Sequence, residues 1–112
     1  MSAVRHWTAQ RATALALIPL ASWLLVSLLL LPDLSWASVT GWLGGAWQPV
    51  AMILTILCVA WHSQLGVQVV IEDYVHHAGF KPAALMLSAG LHAVLALSGV
   101  VAVPRIARAG TP

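Results

Sequence analysis

Residues 49–74, PVAMILTILCVAWHSQLGVQVVIEDY, decide the fold, because the first 23 of them form an apolar run in which His62, near the middle, is the only acidic or basic side chain. An ionisable group at bilayer depth is costly, so such a residue is a functional candidate by default. On an α-helix, the eleven residues from His62 to Asp73 turn through about 1100° and advance about 16 Å, which leaves the two side chains about 20° apart. One face of this helix is therefore predicted to carry a ligand at mid-membrane depth and an acid at the membrane surface.

The composition of the chain indicates a membrane protein. Of its 112 residues, 61% are hydrophobic and 7% are charged, and the mean hydropathy is +0.92. Soluble domains usually carry about a quarter charged residues. Three stretches, residues 12–32, 34–71 and 82–104, contain no Asp, Glu, Lys or Arg, and a spanning helix needs about 20 apolar residues. The chain is long and apolar enough for three such helices.

The predicted fold is an all-α membrane protein with three transmembrane helices in a single domain over residues 1–112. The middle stretch is too long for one span, so it must contain a loop. The small and polar residues that mark this loop are Thr40, Gly41, Gly44, Gly45, Gln48 and Pro49. The helices are expected at about residues 11–31, 49–71 and 82–103, and Pro19 is expected to bend the first.

Charge and cysteine content exclude several classes of function. The net charge of +2 is small and scattered, which argues against nucleic-acid binding, and Cys58 is the only cysteine, so neither a disulfide nor a cysteine metal cluster can form within the chain. We expect Cys58 to be a small core residue. A cleaved signal peptide is the alternative for the N-terminus, because Arg5 and Arg11 precede an apolar run and small residues lie near Ala37, but the run is long for a signal sequence.

Basic residues favour a cytoplasmic N-terminus. With that orientation, three basic residues would lie on the cytoplasmic side, Arg5, Arg11 and Lys81. Two would lie outside, Arg105 and Arg108, and the excess of basic residues on the cytoplasmic side favours this orientation. The loop between the first two spans would then face outward, and it contains tryptophans typical of an interfacial aromatic belt. These are Trp36, Trp42 and Trp47.

His62 is suited to bind haem iron, because imidazole is a common axial ligand and adds no net charge. Gly66, one turn later, would let a flat macrocycle approach the backbone. The structural alternatives are a histidine bonded to a neighbouring helix and a glycine used only for helix packing. His92, midway along the third helix, is a competing ligand that could pair with His62 on one haem or instead bond to Ser88 one turn earlier.

Asp73 and Tyr74 lie just past the apolar run, where a quinone headgroup would find a hydrogen-bond donor and access to aqueous protons. An acidic helix end and an interfacial tyrosine are the plain alternative. Glu72, His76 and His77 could relay protons at the same place or form a solvated loop. Two further polar residues are expected to hydrogen-bond a neighbouring helix, Gln64 and Gln68.

Arg11 opens the first helix on the membrane face that also receives the Asp73 end of the second. A guanidinium there could pair with a haem propionate or a phospholipid phosphate, since arginine makes forked hydrogen bonds to oxyanions. The alternative is a charge that only sets the orientation of the chain.

Together these residues resemble the small hydrophobic membrane anchor of bacterial succinate dehydrogenase (respiratory complex II). The resemblance covers nearly the whole chain, and it rests on residues 10–14 (QRATA) and on residues 62–66 (HSQLG) leading to 72–75 (EDYV). It implies that His62 is an axial ligand of a haem b shared with a larger cytochrome b anchor subunit, and that Tyr74 and Asp73 lie at the ubiquinone site. It also implies that Arg11 is near the haem propionates, and it gives His92 no role.

The same resemblance implies an iron–sulfur subunit and a flavoprotein subunit as further partners, with the iron–sulfur clusters and the flavin in those subunits only. The complex would lie in the bacterial inner membrane, in contact with lipid. Three alternatives stay open: the anchor of a fumarate reductase or another membrane cytochrome b, a small proton-coupled transporter using His62 and His92, and a purely structural membrane adaptor.

Overall fold

The computed structural model describes residues 2–111, which form four α-helices: α1 (Ala3–Leu30), α2 (Trp36–Leu43), α3 (Gln48–Tyr74) and α4 (Phe80–Ala109). Three of them, α1, α3 and α4, are long and apolar enough to cross a membrane. The predicted all-α class and the three spans are therefore confirmed.

The central helix of the bundle is α3, which packs against both α1 and α4. Cross-helix hydrogen bonds join Thr13 of α1 to His62 and Ser88 of α4 to Gln64. Because α3 runs antiparallel to both neighbours, the first turns of α1 and α4 lie at the same end of the bundle as the last turns of α3.

The spanning helices are longer than the sequence predicted. The first begins at Ala3, where the Ser2 side chain accepts a hydrogen bond from the backbone of Arg5, and the last continues through Pro104 to Ala109. The predicted bounds at residues 11 and 103 were wrong because they were placed at charged residues or proline. Arginine and lysine have good helix propensity and can extend their charges to the membrane surface, so they need not end a helix.

The helix α2 replaces part of the predicted loop. Its N-cap is Ser35, whose side chain accepts from the backbone N–H of Ser38 at 3.3 Å. Asp33 in turn accepts from the Ser35 backbone at 2.9 Å and from the Ser38 hydroxyl at 2.7 Å. Hydrogen bonds from Ser35 and Ser38 hold the pKa of Asp33 below its ordinary value. This capping sequence is a recognisable helix start, and it prevails over the glycines that follow it.

The short helix closes one end of the bundle by packing against the end of α4. Leu43, Val103 and Ala107 form a buried apolar cluster there. Gly110 lies directly against the Thr40 backbone, and a Cβ at that position would overlap it. The close approach of α2 to α4 therefore depends on a residue without a side chain.

The tryptophans are divided between internal packing and the surface. Trp42 is half-buried and stacks on Trp23 of α1, with ring centroids 5.6 Å apart, and Trp47 lies 5.4 Å from the same Trp23 ring. Trp36 and Trp47 are 66% and 54% exposed. The predicted aromatic belt remains a prediction for these two residues, whereas Trp42 contributes to packing between helices.

The bundle buries few side chains. Its buried hydrophobic residues are Leu43, Leu65, Val103 and Ala107. Large apolar side chains such as Leu30 and Leu87 are 79% and 74% exposed, and Cys58, expected in the core, is half-buried. An apolar surface of this extent is favourable against lipid or further helices, so the fold is that of a multi-pass membrane protein.

Candidate functional site

His62 points from α3 towards α1. Its Nδ1 atom lies 2.9 Å from Oγ1 of Thr13, which is 4% exposed. Sequence reasoning assigned no role to Thr13, because only the relative rotation of α1 and α3 brings the two side chains together. This contact orients the imidazole ring.

The bonds of the Thr13 hydroxyl bear on the tautomer of His62. Its Oγ1 lies 2.8 Å from the carbonyl oxygen of Ala9 and 3.1 Å from that of Gln10. A hydroxyl has one proton to donate, and these carbonyls of the preceding turn can only accept. When the hydroxyl donates to Ala9, its oxygen can accept a proton from Nδ1 of the ring. Neutral His62 in that tautomer has a lone pair on Nε2, the form in which imidazole binds a metal.

A cleft of about 310 Å³ opens beside this ring between α1 and α3. Its lining residues are Trp7, Gln10, Arg11, Ala14 and His62. The guanidinium carbon of Arg11 lies 4.6 Å from the centre of the Trp7 ring, within range of a cation–π interaction. The structure thus places Arg11 and His62 in one cleft, and their roles toward haem stay predictions.

Gly66 lies one turn after His62, about 40° from it around the helix axis. A Cβ built on Gly66 meets no atom within 4 Å. Packing among the described helices therefore does not require a glycine at this position. The predicted approach of a flat macrocycle at Gly66 stays a prediction.

Asp73 and Tyr74 occupy the last turn of α3 and are exposed, with Tyr74 77% exposed. They lie about 16 and 18 Å along the axis from His62. The structure therefore does not bring them to the His62 cleft, and it leaves both free to contact another molecule at this end of the bundle.

A second cleft of about 310 Å³ lies at the same end, next to the first. It is lined by Ala3, His6, Trp7, Gln10, Gln68 and Glu72. Nε2 of His6 is buried, and no atom of residues 2–111 hydrogen-bonds to it. The approach of His6 to the end of α3 depends on the extension of α1 beyond its predicted start.

His92 is bonded differently from His62. Its Nδ1 lies 2.8 Å from the carbonyl oxygen of Ser88, to which it donates, and its Nε2 lies 3.0 Å from the Ser63 hydroxyl. Both ring nitrogens are thus used within the bundle. This arrangement matches the structural alternative for His92 and provides no free nitrogen for an internal haem shared with His62.

The remaining polar predictions have mixed outcomes. Gln64 accepts a hydrogen bond from the Ser88 hydroxyl at 2.7 Å, so the predicted bond to a neighbouring helix is confirmed. Gln68 instead donates to Glu72 of its own helix at 3.0 Å. Nδ1 of His77 accepts from the Phe80 backbone at 3.2 Å, at the start of α4, while His76 is exposed. His77 thus has a structural role in the turn between α3 and α4.

Within residues 2–111, no group of three or more His, Cys, Asp or Glu side chains could hold a metal ion. Iron bound at His62 would therefore need most of its ligands from elsewhere. In haem the macrocycle supplies most of the ligands to iron, so a single histidine such as His62 would be enough to hold it.

The model of one protein family, the succinate dehydrogenase/fumarate reductase transmembrane subunit, matches residues 2–103. The chain belongs to this family. A curated relative, the succinate dehydrogenase hydrophobic membrane anchor subunit of Rickettsia conorii, is 31% identical over 77 residues, which are 68% of this chain and 61% of the relative. The match thus spans less than two thirds of that relative. The resemblance drawn from residues 10–14 and 62–75 is confirmed at the level of a succinate dehydrogenase membrane anchor.

Proposed function

We propose that this chain is a membrane anchor subunit of succinate dehydrogenase, the succinate:ubiquinone oxidoreductase of complex II. It would form a helical bundle with a larger cytochrome b anchor subunit and hold an iron–sulfur subunit, which in turn binds a flavoprotein subunit. The observation that carries this proposal is the His62 imidazole, which contacts Thr13 through Nδ1 and lines a cleft together with Arg11, in a chain of this family. The family also favours an anchor over the transporter and adaptor alternatives.

The residues of the His62 cleft fit haem b. Nε2 of His62 would bind the haem iron, and Arg11 would pair with a propionate, because it lines the same cleft. Any further protein ligand would come from the larger anchor subunit, since both ring nitrogens of His92 are already bonded. Bound haem supplies a one-electron carrier at mid-membrane depth.

Tyr74 and Asp73 would form this chain's part of the ubiquinone site. The exposed phenol of Tyr74 can donate a hydrogen bond to a quinone carbonyl oxygen, where negative charge develops during reduction. Reduction of ubiquinone to ubiquinol consumes two electrons, which the partner subunits deliver from succinate, and two protons. Asp73 and Glu72 are both exposed at this end of α3, where carboxylates can orient the headgroup and pass protons from water.

The anchor would span the bacterial inner membrane with its N-terminus in the cytoplasm. Three spanning helices and the basic residues Arg5, Arg11 and Lys81 support this orientation. The Tyr74 end of α3 would then face the cytoplasm and receive the iron–sulfur subunit. No succinate chemistry belongs to this chain.

Exchange of Tyr74 for phenylalanine in the whole complex tests the quinone assignment. Tyr74→Phe is expected to lower succinate:ubiquinone reductase activity about tenfold, because one hydrogen bond to a developing charge is lost. Succinate oxidation by a soluble artificial acceptor is expected to stay unchanged.

The matched control is Trp36→Phe, which alters an exposed aromatic residue at the opposite end of the bundle and is expected to leave both activities intact. Equal loss of both activities in Tyr74→Phe would indicate failed assembly, and unchanged quinone reduction would remove Tyr74 from the quinone site.

A fumarate reductase anchor is the second candidate, because the matching family includes both enzymes. The ratio of succinate oxidation by quinone to fumarate reduction by quinol, measured on the purified complex, separates them. Our proposal expects succinate oxidation to be the faster direction.

A further inference from the structure

We propose that Thr13 is a positioning residue for the haem ligand: its hydroxyl holds His62 in the Nδ1-protonated tautomer and thereby lowers the reduction potential of the haem. This inference rests on the proposed binding of haem at His62. It assigns a role to a side chain of α1 that would touch neither iron nor porphyrin.

In this proposal, the oxygen of the Thr13 hydroxyl accepts a hydrogen bond from Nδ1 of His62. Its proton is held by the carbonyl oxygen of Ala9 at 2.8 Å, while the oxygen lies 2.9 Å from Nδ1 of His62. Because Thr13 is 4% exposed, water has little access to its hydroxyl. A β-branched side chain on a helix has few rotamers, and this bond pattern fixes the rotamer further.

The opposite tautomer would be disfavoured at this contact. If Nε2 carried the proton, the Nδ1 lone pair would face the lone pairs of the Thr13 oxygen, unless the hydroxyl gave up its bond to Ala9. That rearrangement would leave one hydrogen bond at this contact where the Nδ1-protonated tautomer has two. The protein therefore presents Nε2 as a lone pair before any iron binds.

The same bond alters the ligand electronically. A ligating histidine that donates its other N–H to a fixed acceptor becomes more basic. A more basic ligand stabilises ferric iron more than ferrous iron, because the higher charge gains more from electron donation. Removal of the acceptor is therefore expected to raise the haem midpoint potential.

The test is a redox titration of the haem in the purified complex, with its visible spectrum and haem content, for three variants. Thr13→Val keeps the shape and removes the hydroxyl, and Thr13→Ser restores it. Thr55→Val is the matched control, because Thr55 is also 4% exposed and its hydroxyl also bonds the carbonyl four residues earlier, at 2.8 Å, within α3.

We expect Thr13→Val to raise the midpoint potential, whereas Thr13→Ser and Thr55→Val stay at the wild-type value. A tenfold change in the relative binding of ferric and ferrous iron corresponds to about 59 mV for a one-electron couple. If Thr13→Val instead loses haem from an assembled complex, recovery of haem in Thr13→Ser supports the inference, because only the hydroxyl is shared.

The inference is overturned if Thr13→Val retains haem at the wild-type potential, if Thr55→Val gives the same shift, or if Thr13→Ser behaves like Thr13→Val. A wild-type complex that contains no haem, or one whose haem survives His62→Ala, would overturn the proposed haem site itself. Failure of the inference about Thr13 and failure of the proposed haem site therefore give different experimental results.

Discussion

The two interfaces of α3 each contain a histidine from the middle of a spanning helix, and they use it in different ways. On the α1 side, His62 has one ring nitrogen bonded to Thr13, and the residue lines a cleft. On the α4 side, His92 has both ring nitrogens bonded, to Ser88 and to Ser63. Both histidines join two helices, but the hydrogen bonds of the described residues engage one ring nitrogen of His62 and two of His92.

This comparison shows that an intramembrane histidine cannot be assigned from its depth alone. Both residues satisfy the rule that an ionisable group in a membrane is paired or functional. The difference lies in how many of the two ring nitrogens the neighbouring helices occupy.

The largest expected effect is that of replacing each histidine by alanine. His62→Ala should abolish the haem absorbance of the purified complex, because it removes an axial ligand. His92→Ala should retain the haem spectrum and reduce thermal stability, because it leaves the Ser63 hydroxyl without its partner on α4. Loss of haem in His92→Ala together with an unaltered spectrum in His62→Ala would assign the haem ligand to His92 and the structural role to His62.

A smaller effect is expected at the glycine beside His62. Gly66→Leu would place a large side chain in the open space beside His62, where the proposed haem would lie. Overpacking against the haem would cost about 1–3 kcal/mol, so the haem content should fall roughly tenfold. Gly90→Leu is the control, since a Cβ there also meets no atom within 4 Å but lies on α4. Haem content is measured per assembled complex. Equal haem loss in both variants would point to a general packing defect.

The smallest expected effect concerns the α4 interface. Ser63→Ala removes the partner of Nε2 of His92 and should destabilise the protein by about 0.6 kcal/mol, the average for such bonds between membrane helices. The haem potential should not change. Ser98→Ala is the matched control, because the Ser98 hydroxyl bonds only to the Val94 carbonyl of its own helix at 2.8 Å. Thermal denaturation of both variants provides the measurement, and a changed haem spectrum in Ser63→Ala would contradict a purely structural His92.

Much of the fold could be predicted from the stretches without charged residues, because a long apolar segment in a bilayer must form an α-helix or part of a closed β-barrel. The exact helix ends did not follow, because Arg11 and Pro104 lie inside helices that tertiary packing extends beyond them. The helix α2 was missed although Ser35 and Asp33 provide a capping signal. Local signals for a cap and for a loop conflict there, and the packing of α2 against α4 supports the capped helix.

The candidate site was predictable where chemistry depends on spacing along one helix. His62, Gly66 and Asp73 share a face of α3 by helical periodicity alone. Thr13 was not predictable, because its contact with His62 depends on how α1 rotates against α3. The roles of Asp73 and Tyr74 stay predictions, since both are exposed at an end of the bundle where another molecule would complete the site.

The most direct test of the distinction between His62 and His92 is an electron cryo-microscopy map of the whole complex at side-chain resolution. Our account predicts a porphyrin whose iron is bonded to Nε2 of His62, with the Thr13 hydroxyl on Nδ1 and His92 still bonded to Ser63 and Ser88. Iron on His92, iron on Nδ1 of His62, or a His62 ring directed at lipid with no porphyrin beside it would contradict it.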